Sequence, residues 1–205
     1  MVIKKILSGV YEENTYILCD EISKETAVID PGVDNQEVID EIDNLSGNLK
    51  YVILTHGHFD HTGGVYGLVK KYSAKLIINK KDEDLVLGKE KMYGPYSPDG
   101  SFIKADIYVK EGDEFYLGEN KIAAIETPGH TPGGMSYVAE GSLFSGDTLF
   151  LLSVGRCDFY GGDYGTLISS IKDKLFNLPE DTVVYPGHGP KTLIKNEKRF
   201  NQFVK

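Results

Sequence analysis

A chain of 205 residues with 40% hydrophobic side chains can bury one sizeable core without disulfides or structural metal, so a single domain over 1–205 is expected. The net charge of −9 arises from acidic residues interspersed among lysines, which leaves no basic stripe for a phosphate backbone and argues against nucleic acid. No run approaches a membrane span, the first eight residues lack a signal-peptide core, and Cys19 and Cys157 match no zinc-ligand spacing, so a cytoplasmic protein with reduced thiols is expected.

Residues 2–7, 14–20 and 25–30 are rich in Val, Ile and Tyr and separated by short polar turns, the pattern of an antiparallel meander. Asp34 offers a helix cap with Glu37 three residues on, and Val38, Ile39, Ile42 and Leu45 follow at helical spacing until Gly47. A strand at 50–54 then delivers Thr55-His56-Gly57-His58-Phe59-Asp60-His61. Side chains alternate along an extended segment, so His56 and His58 face one way and can share an ion. Asp60 and His61 follow where the chain turns into a helix near Thr62-Gly63-Gly64-Val65, which aims them at a neighbouring position and suggests two metals. Val65, Leu68 and Val69 give that helix a buried side, and a strand at 75–78 and a charged helix around 80–87 follow.

Between 88 and 105 the periodicity stops, and a loop of that length is expected to border the site, with Tyr93 and Tyr96 as its candidate substrate contacts. Strands resume at 107–109, 113–117 and 121–126, the last leading to His130, and then at 135–139 and 142–146, the last leading to Asp147. Asp163 caps a helix with Leu167, Ile168, Ile171 and Leu175 on one face, a strand at 182–185 aims at His188, and a short helix with Leu193 and Ile194 follows. The pattern is α/β: two sheets face to face with helices outside, an αββα four-layer sandwich with metal ligands at strand ends along one edge.

The chain has five histidines, and all of them fall in these segments: three in the seven-residue motif, His130 in Thr127-Pro128-Gly129-His130, and His188 in Tyr185-Pro186-Gly187-His188. Together with Ser145-Gly146-Asp147-Thr148, they resemble the metallo-β-lactamase superfamily. The resemblance implies that His56, His58 and His130 hold one metal, that Asp60, His61 and His188 hold a second, and that Asp147 bridges them. It extends upstream to Glu13-Asn14-Thr15-Tyr16 and to Asp30-Pro31-Gly32, with Asp30 expected to fix the loop or a ligand imidazole.

Nitrogen and carboxylate donors without thiolate suit two divalent ions, Zn²⁺ first with Fe and Mn²⁺ open, and metal-assisted hydrolysis of a small molecule is the expected chemistry, with Asp60 and Asp147 in catalytic roles. Within the superfamily the likeness is to glyoxalase II and its shorter bacterial relatives, which implies a hydroxyacyl thioester with an anionic thiol. Arg156 stands where those enzymes place a basic residue that grips the thiol portion, whereas Asp158 and Pro190 stand where they place tyrosines. Lys191, Lys195, Lys198 and Arg199 are expected to form a solvated helix face. Persulfide dioxygenases resemble the chain too, with one iron on the equivalents of His56, His130 and Asp147. A lactone or other ester hydrolase is a further alternative, and a metal-binding domain without activity would require a lost ligand, of which there is none.

Overall fold

The computed structural model describes residues 1–86 and 104–205. Six strands form the first sheet in chain order: β1 (Val2–Ser8), β2 (Glu13–Cys19), β3 (Glu25–Ile29), β4 (Asn48–Ile53), β5 (Lys75–Ile78) and β6 (Ile107–Tyr108). The first three are antiparallel neighbours, and β3 through β6 pair in parallel. Parallel neighbours need a crossover, which α1 (Gln36–Asn44) supplies between β3 and β4. The short turn α2 (Phe59–Thr62) and helix α3 (Val65–Tyr72) supply the next one, and α4 (Glu83–Val86) follows β5.

The second sheet contains β7 (Glu114–Leu117), β8 (Asn120–Glu126), β9 (Met135–Ala139) and β10 (Ser142–Gly146). A two-stranded ribbon, β11 (Leu149–Phe150) with β12 (Ser153–Val154), leads to α5 (Tyr164–Asp173), and the sheet is completed by β13 (Val183–Pro186) and β14 (Thr192–Leu193) before α6 (Ile194–Phe200). Its order is β14-β13-β10-β9-β8-β7, with only β10 and β13 parallel.

Alternation along the strands builds the layers. Tyr16, Leu18, Ile29, Ile53 and Ile77 face Leu117, Ile122, Met135, Tyr137 and Phe144 across the space between the sheets. The intervening Ile17, Val28, Val52 and Leu76 pack outward against Val38, Ile42, Val65 and Leu68 of α1 and α3. On the other side Leu143 and Val184 pack against Leu167, Ile171 and Ile194 of α5 and α6. Central strands buried on both faces explain why their sequences read as almost unbroken apolar runs. The result is the four-layer αββα arrangement of the metallo-β-lactamase fold.

Local details differ from the sequence reading. Asn35, not Asp34, caps α1, its side chain accepting from the Glu37 N–H at 2.9 Å, because Asp34 is packed against Gly67 of α3. Residues 80–82 form a 3-10 turn rather than α-helix, and Asp82 and Glu83 are buried there. Leu193 lies in β14 rather than in the last helix. The ribbon at 149–154, with two residues per strand, was too short to show a period. Among the described residues no helix is long and apolar enough to cross a membrane. Tyr93 and Tyr96 lie outside the described residues.

Candidate metal centre

The predicted ligands converge at one edge of the two sheets. His56 and His58 follow β4, Asp60 and His61 sit on α2, His130 follows β8, Asp147 follows β10 and His188 follows β13. The rings of His56, His58 and His130 lie 4.6–4.8 Å apart, centroid to centroid, with their planes nearly perpendicular. One ligand atom from each of these three lies within 4.8 Å of the others, and the same holds for Asp60, His61 and His188. Asp147 stands between the groups, with Oδ1 3.4 Å from His61 Nε2 and Oδ2 3.6 Å from His130 Nε2 and 3.7 Å from His188 Nε2.

Hydrogen bonds on the outer ring nitrogens aim the imidazoles. Nδ1 of His61 meets Asp30 Oδ2 at 3.0 Å, Nδ1 of His130 meets the Arg156 carbonyl at 2.6 Å, Nδ1 of His188 meets the Tyr11 carbonyl at 3.1 Å, and Nδ1 of His56 meets Thr55 Oγ1 at 3.0 Å. Such contacts turn the Nε2 atoms inward. Asp30 also accepts from the Thr55 N–H at 2.7 Å and the Thr55 hydroxyl at 2.6 Å, so it fixes both the motif and the His61 ring. His56 Nε2, His61 Nε2 and Asp147 Oδ1 are buried without a hydrogen-bond partner among the described residues. Buried polar atoms are normally satisfied, and three orphaned atoms of metal-ligating type within one cluster fit divalent ions.

The upstream resemblance acquires a physical role. Asn14 Nδ2 donates to the Pro186 carbonyl at 2.9 Å and the Gly189 carbonyl at 2.8 Å, and the Tyr16 hydroxyl donates to the Pro186 carbonyl at 2.7 Å. The loop holding His188 is therefore braced by β2. The available signal was an asparagine in a strand whose seven residues are all buried. Gly187 is needed in the same loop, since a Cβ there would lie 2.3 Å from Asp147 Oδ1.

A cavity of about 530 Å³ opens over the cluster, walled by Tyr11, Phe59, Phe150 and Phe159. Arg156 reaches its rim, where its guanidinium makes paired hydrogen bonds to Asp158 at 2.9 and 2.7 Å and lies 4.4 Å from the Phe159 ring centroid. Lys191, Lys195, Lys198 and Arg199 are exposed. Burial and the charges of Asp163 and Asp158 push the Cys157 thiol up, away from the thiolate form that reacts.

Residues 8–188 match the family model described as the metallo-beta-lactamase superfamily. The chain belongs to the metallo-β-lactamase superfamily. It is 36% identical over 200 residues to hydroxyacylglutathione hydrolase GloC of Haemophilus influenzae, a match covering 95% of this chain and 93% of the relative. Among solved structures, the BLEG-1 B3 metallo-beta-lactamase superposes with a TM-score of 0.89 at 34% identity, covering 99% of both chains. TTHA1623 in a di-iron-bound form superposes with a TM-score of 0.82 at 31% identity, covering 98% of this chain and 99% of that one.

Metal removal provides a test of the fit. A hundredfold excess of ligand over its dissociation constant stabilises by about 2.7 kcal/mol, so Zn²⁺ added to chelator-stripped protein is expected to raise Tm by roughly 5–10 °C. The stripped protein should also be acid-sensitive. Burial and the neighbouring imidazoles of His130 and His61 push His58 down to about 3. A histidine held below its unfolded value takes up its proton more readily when unfolded, so stability is lost as pH falls from about 6.5 toward 3. His61 and His188 do not offset this. Despite burial, the carboxylates around them hold both above the ordinary range, so their contribution is already complete below about 6.5. Calorimetry with and without metal across pH 4–8 reads both effects, and a Tm indifferent to metal would refute the fit.

Proposed function

We propose that the chain is a metal-dependent hydrolase acting on a hydroxyacyl thioester. His56, His58 and His130 would hold one divalent ion, Asp60, His61 and His188 a second, and Asp147 both. The observation that carries this reading is the placement of Asp147, whose oxygens face imidazole nitrogens of both groups. A mononuclear iron on His56, His130 and Asp147 would leave four further donors without work, which favours the hydrolase over the dioxygenase alternative.

Divalent ions held by these residues would lower the pKa of water toward neutrality and polarise the carbonyl under attack. The chain's own residues position and dispose of the rest. Burial raises the Asp60 carboxyl, but the hydrogen bond to His188 and the charges of His61 and His188 outweigh it and hold the group down to about 2. Asp60 is therefore ionised at every working pH and can accept a hydrogen bond from the attacking water. The outer-nitrogen contacts to Asp30, Arg156 and Tyr11 keep three imidazoles from swinging as charge moves. The aromatic walls narrow the cavity around the acyl group. Water adds to the acyl carbon, the C–S bond breaks, and an acid and a thiol leave.

Support for the thioester comes from the motif resemblance, from the similarity to GloC and from Arg156 at the cavity rim. The guanidinium is already paired with Asp158, and both side chains are about two-thirds exposed (67% and 65%). Exposed pairs contribute little, so a substrate carboxylate can displace Asp158 at small cost. Arg156→Ala is expected to raise KM for an anionic thioester by about tenfold, equivalent to roughly 1.4 kcal/mol, and to leave a neutral ester unaffected. Asp158→Asn should lower KM for the anionic substrate. Equal changes for both substrates would make Arg156 a support for its loop, whose carbonyl already holds His130. Metal content per chain, measured alongside thioester, lactone and persulfide turnover, tests the reaction class: two ions with thioester cleavage support the proposal, and one iron with oxygen consumption on a persulfide overturns it.

A further inference from the structure

Asp82 is fully buried at 0% exposure and plays no part in the ligand set. It ends the 3-10 turn Lys80–Asp82, which is fixed by Asn79: the Asn79 Oδ1 accepts from the Lys81 N–H at 3.0 Å, and its Nδ2 donates to the Val109 carbonyl at 3.1 Å. From this turn the Asp82 carboxylate reaches both halves of the molecule. Its Oδ2 accepts from the Gly57 N–H at 3.0 Å and the Thr131 hydroxyl at 2.6 Å, and its Oδ1 accepts from the Gly133 N–H at 2.6 Å. Gly57 lies between His56 and His58, and Thr131 adjoins His130. One carboxylate thus ties together the two loops that carry the three imidazoles of the first group. The approach is close enough to demand glycine, since a Cβ at 133 would lie 2.6 Å from Asp82 Oδ1 and one at 57 would lie 2.8 Å from the Asp82 carbonyl.

A neutral side chain would bind these donors without the cost of burying a charge. Burial does push the Asp82 carboxyl up, against the pull of its three hydrogen bonds. The two metal groups differ in a way that gives the charge a use. The second group has Asp60 as a ligand and Asp30 on the outer nitrogen of His61. The first has three imidazoles and no carboxylate ligand of its own, with Asp147 shared and Asp30 reaching His56.

We propose that Asp82 is a positioning residue for the first metal site: it sets His56 and His58 against His130 and adds negative charge beside a group with no carboxylate ligand of its own. This rests on the metal-centre reading above. Groups that orient metal ligands typically change metal affinity 10- to 100-fold when removed, and the effect here should be confined to one site.

The test measures Co²⁺ affinity by chelator competition and by the visible spectrum of the bound ion, without recourse to turnover. In a His188→Ala background, which keeps the first group, Asp82→Asn is expected to weaken Co²⁺ binding by about 10- to 100-fold and to shift the spectrum. In a His58→Ala background, which keeps the second group, the same substitution should change affinity by less than about threefold, within the context-dependence of a distant site. Thr131→Val, which removes one donor and no charge, should produce a smaller loss in the first background only. Circular dichroism and Tm of the metal-free proteins separate these effects from misfolding, and if Asp82→Asn fails to fold, Thr131→Val alone decides. Equal weakening in both backgrounds, or none in the first, would overturn the proposal. Wild-type protein that binds no Co²⁺ would instead overturn the metal-centre reading itself.

Discussion

Asp147→Ala is expected to lower kcat/KM by at least about a thousandfold, equivalent to roughly 4 kcal/mol of transition-state stabilisation, and to reduce the metal content of the purified protein. The size follows from position. Asp147 has oxygens facing both groups, at 3.4 Å from His61 and 3.6 Å from His130, and residues acting as a unit lose function together. The fold should survive. Asp147 Oδ1 has no hydrogen-bond partner among the described residues, and the residue follows β10 at the sheet edge, away from the side chains that fill the space between the sheets. The Tm of the metal-free variant is therefore expected to fall by only a few degrees from metal-free wild type, since the loss is chiefly the charge contact with His61 and no hydrogen-bonded or packed side chain goes with it. Elemental analysis and calorimetry on one preparation check both statements, and full activity with two ions per chain would refute the bridging role.

The cluster of histidines and carboxylates was legible because metal chemistry restricts candidate ligands to a few residue types, here at strand ends, and because the chain has no other histidines. The sheets were legible as apolar runs, though a run of Val and Ile does not reveal whether its neighbour is parallel. What escaped the sequence reading was held by backbone atoms or by tertiary context. The carbonyls of Arg156 and Tyr11 fix His130 and His188, and a carbonyl has no side-chain signature. Arg156 was read for its guanidinium, whereas its backbone carbonyl holds His130. Asp82 looked like one acid in the charged stretch Lys80-Lys81-Asp82-Glu83-Asp84. Only folding brings Gly57, Thr131 and Gly133 around it. Asp34 and Asn35 are both good caps, and the choice was made by Gly67 on a helix thirty residues later.

Asp60→Asn separates ligation and water orientation from substrate binding. The amide keeps the size of the carboxylate and removes its charge, so the cavity that takes substrate retains its shape. Asp60 Oδ2 lies 3.4 Å from His188 Nε2, a contact that an Asn oxygen can still accept, whereas the negative charge that draws the attacking water and the second ion is gone. An interaction used only in the transition state lowers kcat and kcat/KM together. The expected result is a fall in kcat of about a hundredfold or more, roughly 2.7 kcal/mol, with KM for the thioester within about threefold of wild type. The pH profile adds a second reading. Because Asp60 is held ionised down to about 2, its protonation cannot produce an acid limb between pH 5 and 8, so any limb seen there in wild type should persist in the variant, with a midpoint lowered where His188 carries it. A variant that raises KM as much as it lowers kcat would place Asp60 in substrate binding, and a limb that disappears with the substitution would make Asp60 the titrating base.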